Sequence, residues 1–173
     1  ETDSGRLIIE FFPDVAPNHV KNFVTLSESD YYTNTIFHRI IEGFMIQGGD
    51  PLTAQENSSK SSWGTGDPGY SIDAEFNSIQ HNRGIVSMAR SADPNSAGSQ
   101  FFIVHKDSNF LDGQYTVFGR ILTDESFSTL DRIATLETTP SDQPTNTSKA
   151  LIKNVLILDR SELSTLPEFV IPE

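Results

Sequence analysis

The sequence predicts a mainly β protein, in which short antiparallel strands form a barrel or sandwich and two helices cover its ends. Two observations support this: many short segments are rich in β-branched and aromatic residues, and strands and helices do not alternate as they do in parallel sheets. The chain has 173 residues, 36% hydrophobic and 10% aromatic, enough to fill one core. We therefore expect a single domain over residues 1–173.

The predicted strands are bounded by Gly, Pro, Asn or Asp, which favour turns. The first strand, Gly5–Phe12, ends at a Pro-Asp turn. A hairpin is predicted from Ile36–Ile41 and Phe44–Gln47, because the intervening Gly43 can adopt the positive φ of tight turns. The other predicted strands are Gly84–Ala89, Gln100–Val104, Thr116–Ile121 and Leu151–Leu158.

Two amphipathic helices are predicted from apolar residues that recur at helical spacing. Pro17–Glu28 begins with a proline, which suits the first turn of a helix. Asp124–Leu136 places Phe127 and Leu130 on one face, and its acidic start favours the positive end of the helix dipole.

Charge and composition exclude several classes of function. The formal net charge is −12 with only 12 Lys and Arg, so we expect no nucleic acid as partner. No apolar run approaches the ~20 residues that span a bilayer, so we expect no membrane insertion. No cysteine is present, which removes disulfides and thiolate chemistry. We expect a cytoplasmic location, and a secreted one stays open because the chain starts at Glu1.

Arg39 is the most informative residue, because it is a guanidinium within the otherwise strongly apolar segment Phe37–Asp50. A permanently charged fork of donors in an apolar wall suits the binding and polarising of a carbonyl-type ligand. The alternative is an arginine that extends from a strand edge to solvent, and this segment alone leaves both interpretations open.

Three familiar motifs are rejected. Gly64–Gly69 has the spacing of a dinucleotide fingerprint, but it follows a Ser-rich loop and precedes extended chain. The four histidines lie far apart, and the carboxylates near them resemble ordinary surface charge, so we expect no metal site. Ser99 lacks the second glycine of a nucleophile elbow.

A second informative segment is Ser87–Ile103, in which a strand ends, a loop of small residues follows, and a strand restarts. Gln100 and Phe102 lie two residues apart and so point to the same face of that strand. Taken alone, the segment favours the ordinary interpretation, a loop between core strands with Phe102 in the core.

Four motifs in this order, FHRIIEGFMIQGGD, GTGDPGY, SMARSADPNSAGSQFFI and FLDGQYTVFGRI, resemble the cyclophilin family of peptidyl-prolyl cis/trans isomerases, closest to its prokaryotic-type branch. The resemblance covers roughly Gly5 to Ile157. It implies a closed eight-stranded antiparallel barrel capped by two α-helices, with the active groove on the outside of the barrel. It also implies an isomerase that assists protein folding, needs no cofactor or metal, and acts on proline-containing peptides and unfolded proteins.

The resemblance assigns roles position by position. Arg39 matches the catalytic arginine of the family. The remaining matches are substrate-binding. The proline pocket corresponds to Phe44, Met45, Phe102 and Leu111, and the positions that hold the peptide backbone to Gln47, Ala89, Arg90, Ser91 and Gln100.

Some positions depart from the common animal pattern. Phe110 and Tyr115, also assigned to the groove, replace a tryptophan and a histidine, and Arg90 replaces an asparagine. Loss of the indole N–H at Phe110 predicts reduced affinity for cyclosporin-type cyclic peptides. The chain also carries an insertion at Leu52–Trp63, which by analogy lies near the groove.

We expect a monomer that isomerises X-Pro bonds. The alternative is a binding module or chaperone, in which the same groove holds proline-containing segments without turnover. Acceleration of X-Pro exchange would separate the two.

Overall fold

One antiparallel sheet of six strands organises the part of the chain described by the computed structural model, residues 1–165. The strands are β1 (Ile9–Phe11), β2 (Arg39–Ile41), β3 (Met45–Gly48), β4 (Ile85–Met88), β5 (Phe101–Val104) and β6 (Val117–Ile121). Their order across the sheet is β1-β6-β4-β5-β3-β2. The mainly β prediction is therefore confirmed, although most strands are shorter than the sequence predicts.

The closed eight-stranded barrel is not confirmed. The sheet ends at β1 and β2, and the predicted strand Leu151–Leu158 forms only single bridges, from Leu151 to Ile36 and from Ile152 to Thr2. The chain just before β1 turns back on itself, with Thr2 bridged to Gly5, instead of extending alongside residues 155–158. A cavity of about 320 Å³ consequently separates β1 from this last segment.

Both predicted helices are confirmed. α1 (Pro17–Glu28) has the predicted bounds, and α2 (Asp124–Ala134) ends two residues early. α2 is capped by its own sequence, because Thr123 Oγ1 accepts the backbone N–H of Ser126. α1 has no such local cap: the N–H groups of Asn18 and His19 donate instead to the distant carboxylate of Glu75. No helix among the described residues is both long and apolar enough to cross a membrane.

Strand alternation divides the apolar residues into two clusters on opposite faces of the sheet. We call the larger one the interior cluster; it contains Phe23, Phe101, Ile103 and Phe118 and packs beneath both helices. The smaller, outer cluster contains Met45, Ile85, Phe102, Val104, Leu111 and Val117. The outer cluster includes three of the residues predicted for the proline pocket.

Candidate active site

Strand register places the predicted site residues in one row. Arg39 on β2 is the partner of Gln47 on β3, and Gln47 is in turn the partner of Phe102 on β5. Residues paired in this way point to the same face of a sheet. The sheet therefore brings the guanidinium and the amide of one hairpin together with an aromatic ring that lies more than fifty residues further along the chain.

Arg39 extends from this row towards solvent, with its side chain 47% exposed. Its Nε lies 3.9 Å from a carboxylate oxygen of Asp142, which is itself 45% exposed. Among the described residues its side chain forms no hydrogen bond, so the guanidinium donors are available to a ligand. Arg39 is thus neither buried in an ion pair nor enclosed by the core.

An apolar socket lies along the same row. Met45, Phe102 and Leu111 form its floor and are buried, with exposed fractions of 2, 5 and 9%. Tyr115 packs edge-on against Phe102 with 5.7 Å between ring centroids, and Phe44 completes the wall from the start of β3. These contacts show a preformed apolar surface beside the guanidinium.

Phe110 lies at the rim of this socket. Its ring is 5.6 Å from that of Phe44, yet the residue is 68% exposed. A large aromatic side chain so exposed at the edge of an apolar surface is typical of a binding site.

Two amides extend the site on the side of Gln47. Its Nε2 donates to Oε1 of Gln100 at 3.0 Å, and the Nε2 of Gln100 donates to the carbonyl oxygens of Gly64 and Gly66. The glycine-rich loop thus carries carbonyls towards the groove and shows none of the strand-to-helix context of a dinucleotide site. The Gln47–Gln100 pair forms a polar wall opposite the apolar socket.

The segment after β4 forms the other end of the groove. Arg90 donates to the carbonyl oxygens of Gln114 and Ser91, and its guanidinium lies 4.6 Å from the ring centroid of Tyr115. Two of the three departures from the animal pattern, Arg90 and Tyr115, therefore contact each other. Ala89 donates its backbone N–H to the backbone carbonyl of Gln100, which ties this segment to the start of β5.

Comparison with known proteins decides the family. The family model described as "Cyclophilin type peptidyl-prolyl cis-trans isomerase/CLD" matches residues 1–156. The chain belongs to the cyclophilin-type peptidyl-prolyl cis-trans isomerases. It is therefore a peptidyl-prolyl cis/trans isomerase of the cyclophilin fold.

Individual relatives agree with the family. A peptidyl-prolyl cis-trans isomerase of Synechococcus elongatus is 46% identical over 126 residues, covering 73% of this chain and 80% of the relative. The isomerase CYP18-1 of Arabidopsis thaliana is 43% identical and covers 83% of this chain and 85% of its own length. A Cryptosporidium parvum cyclophilin, crystallised in the presence of the dipeptide Ala-Pro, has a TM-score of 0.79 at 36% identity, covering 91% of this chain and 96% of that one.

Three histidines of this cyclophilin bind carboxylates from distant parts of the sequence: His19 with Glu75, His81 with Asp112, and His105 with Asp131. The partners lie between 26 and 56 residues apart, so no local spacing in the sequence signals the pairs. No group of three potential metal ligands occurs in the described range.

His81 contacts Phe102 of the apolar socket, and the sequence analysis did not assign it to the site. Its buried ring stacks on Phe102 at 6.0 Å and bonds to Ser87 Oγ through Nε2. Its backbone N–H and Nδ1 both bind Asp112, whose preceding residue is Leu111. The backbone hydrogen bond from His81 is the main cause that lowers the pKa of Asp112. His81 therefore contacts Phe102 directly and fixes Asp112, the residue next to Leu111, so it stabilises two residues of the socket floor.

The insertion Leu52–Trp63 is anchored at both ends by one buried carboxylate. Asp50 accepts the backbone N–H of Leu52 and that of Gly64. Between these points lie two short 3-10 turns, Pro51–Ala54 and Lys60–Ser62, and Trp63 packs against the interior cluster. The insertion is thus a structured loop attached to the core.

Proposed function

We propose that Arg39 is the catalytic residue of this cyclophilin and that the outer cluster with the Gln47–Gln100 pair holds its proline substrate. The observation that supports the proposal is the row Arg39–Gln47–Phe102, which sets a guanidinium, whose terminal amino groups are free of hydrogen bonds to the described residues, beside an apolar socket. The substrates are proline-containing segments of flexible or unfolded proteins, and the Ala-Pro dipeptide used with the Cryptosporidium relative supports this class.

The chemistry explains why one cation is sufficient. Rotation about an X-Pro bond must overcome the partial double-bond character of the amide, a barrier of about 18–20 kcal/mol, but it makes no new bond. Catalysis therefore requires tighter binding of the twisted amide than of either planar form. In the twisted state the proline nitrogen regains its lone pair and becomes a hydrogen-bond acceptor. A fixed donor such as the Arg39 guanidinium then stabilises that state electrostatically.

The other side chains restrict which half of the substrate turns. The buried ring of Phe102, with Met45 and Leu111, suits the apolar pyrrolidine ring. Gln47 and Gln100 offer amide groups to the peptide backbone on one side of the bond. With one side held, binding energy is directed into rotation of the other.

The direct test is Arg39→Ala, measured by NMR exchange on a short X-Pro peptide. Loss of one preorganised donor costs on the order of a hundred- to a thousandfold in turnover, and we expect that loss. Arg120→Ala is the matched control, because Arg120 is also an exposed strand arginine but pairs with Glu10 on the sheet edge. Wild-type exchange by folded Arg39→Ala would refute the assignment, and peptide binding without exchange by the wild type would favour the binding-module alternative.

We also propose that the sheet closes into a barrel through Glu1 and the segment 150–154. The N-terminal amino group of Glu1 donates to the carbonyl of Asn154, and Lys153 donates to that of Glu1. On the other side Asn34 donates to Ile152 and Phe37 to Ala150. These bonds support a strand-like segment between the two sheet edges. Slow hydrogen exchange at the amides of Ile152 and Lys153 would agree with closure, and rapid exchange there would contradict it.

Two finer proposals concern partners. We propose that the domain is a monomer, which light scattering across a range of concentrations tests directly. We also propose that it binds cyclosporin-type peptides more weakly than relatives with a tryptophan at the position of Phe110, because a phenyl ring has no N–H to donate.

A further inference from the structure

We infer that Asp142 is a positioning residue for Arg39: its carboxylate restricts the guanidinium so that the terminal amino groups point at the substrate. The inference rests on the proposed catalytic role of Arg39. Its basis is the 3.9 Å contact between Asp142 Oδ2 and Arg39 Nε. A contact made through Nε leaves the two terminal amino groups of the fork to donate to the twisted amide.

The backbone of Asp142 is fixed independently of its side chain. Residues 138–144 form a small hairpin, closed by a bridge between Thr138 and Pro144, and Asp142 occupies the left-handed region at φ 60°. Its N–H donates to the carbonyl of Thr139, and its own carbonyl accepts the N–H of Ile40 at 2.8 Å. The hairpin is therefore bound to β2 at the residue next to Arg39, which sets the carboxylate at a defined place.

The insertion Leu52–Trp63 is hydrogen-bonded to this hairpin. The side-chain Nε2 of Gln143 donates to the carbonyl of Lys60 at 2.8 Å. Lys60 in turn lies 5.4 Å from the ring centroid of Trp63, which packs on the interior cluster. The extra residues of this chain thus contact the element that carries Asp142, which gives the insertion a structural connection to the active site.

Arg39 needs such a restraint because its long side chain is half exposed and forms no hydrogen bond within residues 1–165. A mobile arginine samples many rotamers, and ordering it during the reaction carries an entropic cost. A carboxylate held by the hairpin reduces the number of rotamers before the substrate arrives. Because the pair is half exposed, its effect is modest, about a two- to fivefold change in turnover.

The test is Asp142→Asn in the whole chain, assayed by NMR exchange at saturating peptide. Asparagine also tolerates positive φ, so the hairpin and its bond to Ile40 are retained. We expect kcat to fall about two- to fivefold with KM and Tm unchanged. The control is Asp14→Asn, which makes the same charge change at an exposed turn after β1.

The dependence of kcat on salt concentration separates an electrostatic role of Asp142 from a purely structural one. At ~1 M salt the Debye length falls to about 3 Å, so an exposed ion pair is screened. Wild-type kcat should then fall towards that of Asp142→Asn, while the variant stays constant. In the Arg39→Ala background, Asp142→Asn should have no further effect, because nothing remains to be positioned.

Several results would overturn the inference. Wild-type or raised kcat in Asp142→Asn would do so, as would an effect that persists in the Arg39→Ala background or that is accompanied by a lower Tm. The single variant Arg39→Ala reports separately on the proposed function: if it keeps full turnover, the catalytic assignment fails, whatever Asp142→Asn does.

Discussion

The interior and outer clusters are made by the same strands, yet they differ in what surrounds them. On β5, Phe101 and Phe102 are adjacent and almost equally buried, at 4 and 5% exposed. Phe101 packs against the rings of Phe23, Tyr32 and Phe37 at 5.2 to 6.0 Å. Phe102 instead contacts an imidazole and a phenol, and its paired residue on β3 is Gln47.

This difference shows that burial alone does not separate a core from a binding surface. The interior cluster is enclosed by the sheet, by both helices and by further apolar residues. The outer cluster is bordered by half-buried side chains such as Phe44 and Tyr115, and by the polar row of Arg39 and Gln47. A run of four apolar residues on one strand therefore supplies two surfaces with different surroundings.

The largest effect is expected from Phe101→Ala. Removal of a buried phenyl ring from a packed aromatic cluster costs about 3–5 kcal/mol in the free energy of unfolding. Denaturant unfolding measures this loss, and NMR exchange on the folded fraction should show nearly normal turnover. A selective loss of turnover with normal stability would contradict the division into two clusters.

Phe102→Ala should show the reverse balance. Its free energy of unfolding should fall less than that of Phe101→Ala, because a site at the surface of the outer cluster can partly collapse or fill with water. Loss of the contact with the proline ring, about 1.5–3 kcal/mol, predicts a roughly ten- to hundredfold lower kcat/KM. Equal stability losses in the two variants, with kcat/KM unchanged in both, would remove the distinction between the faces.

Local sequence patterns were sufficient for the elements but not for the contacts between them. The helix Pro17–Glu28 has the predicted bounds, because its spacing and its first proline are local signals. The segment predicted as a strand at Leu151–Leu158 forms only isolated bridges, at Leu151 and Ile152. Strand pairing depends on which segment lies alongside, and local sequence does not specify that neighbour. Motif resemblance predicted the groove residues, and the register of β2, β3 and β5 brings three of them, Arg39, Gln47 and Phe102, into one row.

The supporting contacts of the site could not be predicted in this way. Asp112 behind His81 and Asp142 beside Arg39 lie 31 and 103 residues from their partners and carry no spacing signal. Each depends on where a loop returns to the sheet. Contacts made by polar residues of surface loops were therefore the part of the site that the sequence predicted least well.

The helix α1 covers the interior cluster, and its N-terminus is capped by the distant carboxylate of Glu75. Glu75→Gln removes the charge and one acceptor, and loss of a cap costs about 0.5–2 kcal/mol. Thermal unfolding at pH 7 should show a lower Tm, whereas Glu56→Gln in the exposed insertion should not. An unchanged Tm would mean that the helix needs no distant cap.

This cap also predicts a pH dependence. Burial alone would raise the pKa of Glu75, but hydrogen bonds from His19 and Asn18 lower it below its ordinary 4.5. Burial lowers the pKa of His19 below 6.5, against the opposing effect of Glu75. Both groups bind fewer protons in the folded than in the unfolded state. Their full contribution to the free energy of unfolding is therefore present above pH 6.5. As pH decreases, the contribution of His19 is lost first and that of Glu75 second. The stability difference between wild type and Glu75→Gln should shrink as pH falls below 4.5.

The smallest expected effect tests the rim of the outer cluster. Phe110 is 68% exposed and packs on Phe44, so Phe110→Trp should fold normally while adding an indole N–H at the edge of the groove. One hydrogen bond contributes about 0.5–1.5 kcal/mol, which predicts roughly two- to tenfold tighter cyclosporin binding in calorimetry. Phe110→Leu is the control, since it has neither ring nor donor and should bind more weakly than wild type. If Phe110→Trp binds cyclosporin no more tightly than wild type, the missing indole N–H does not limit affinity. The exposed rim would then contribute no hydrogen bond of its own to cyclosporin.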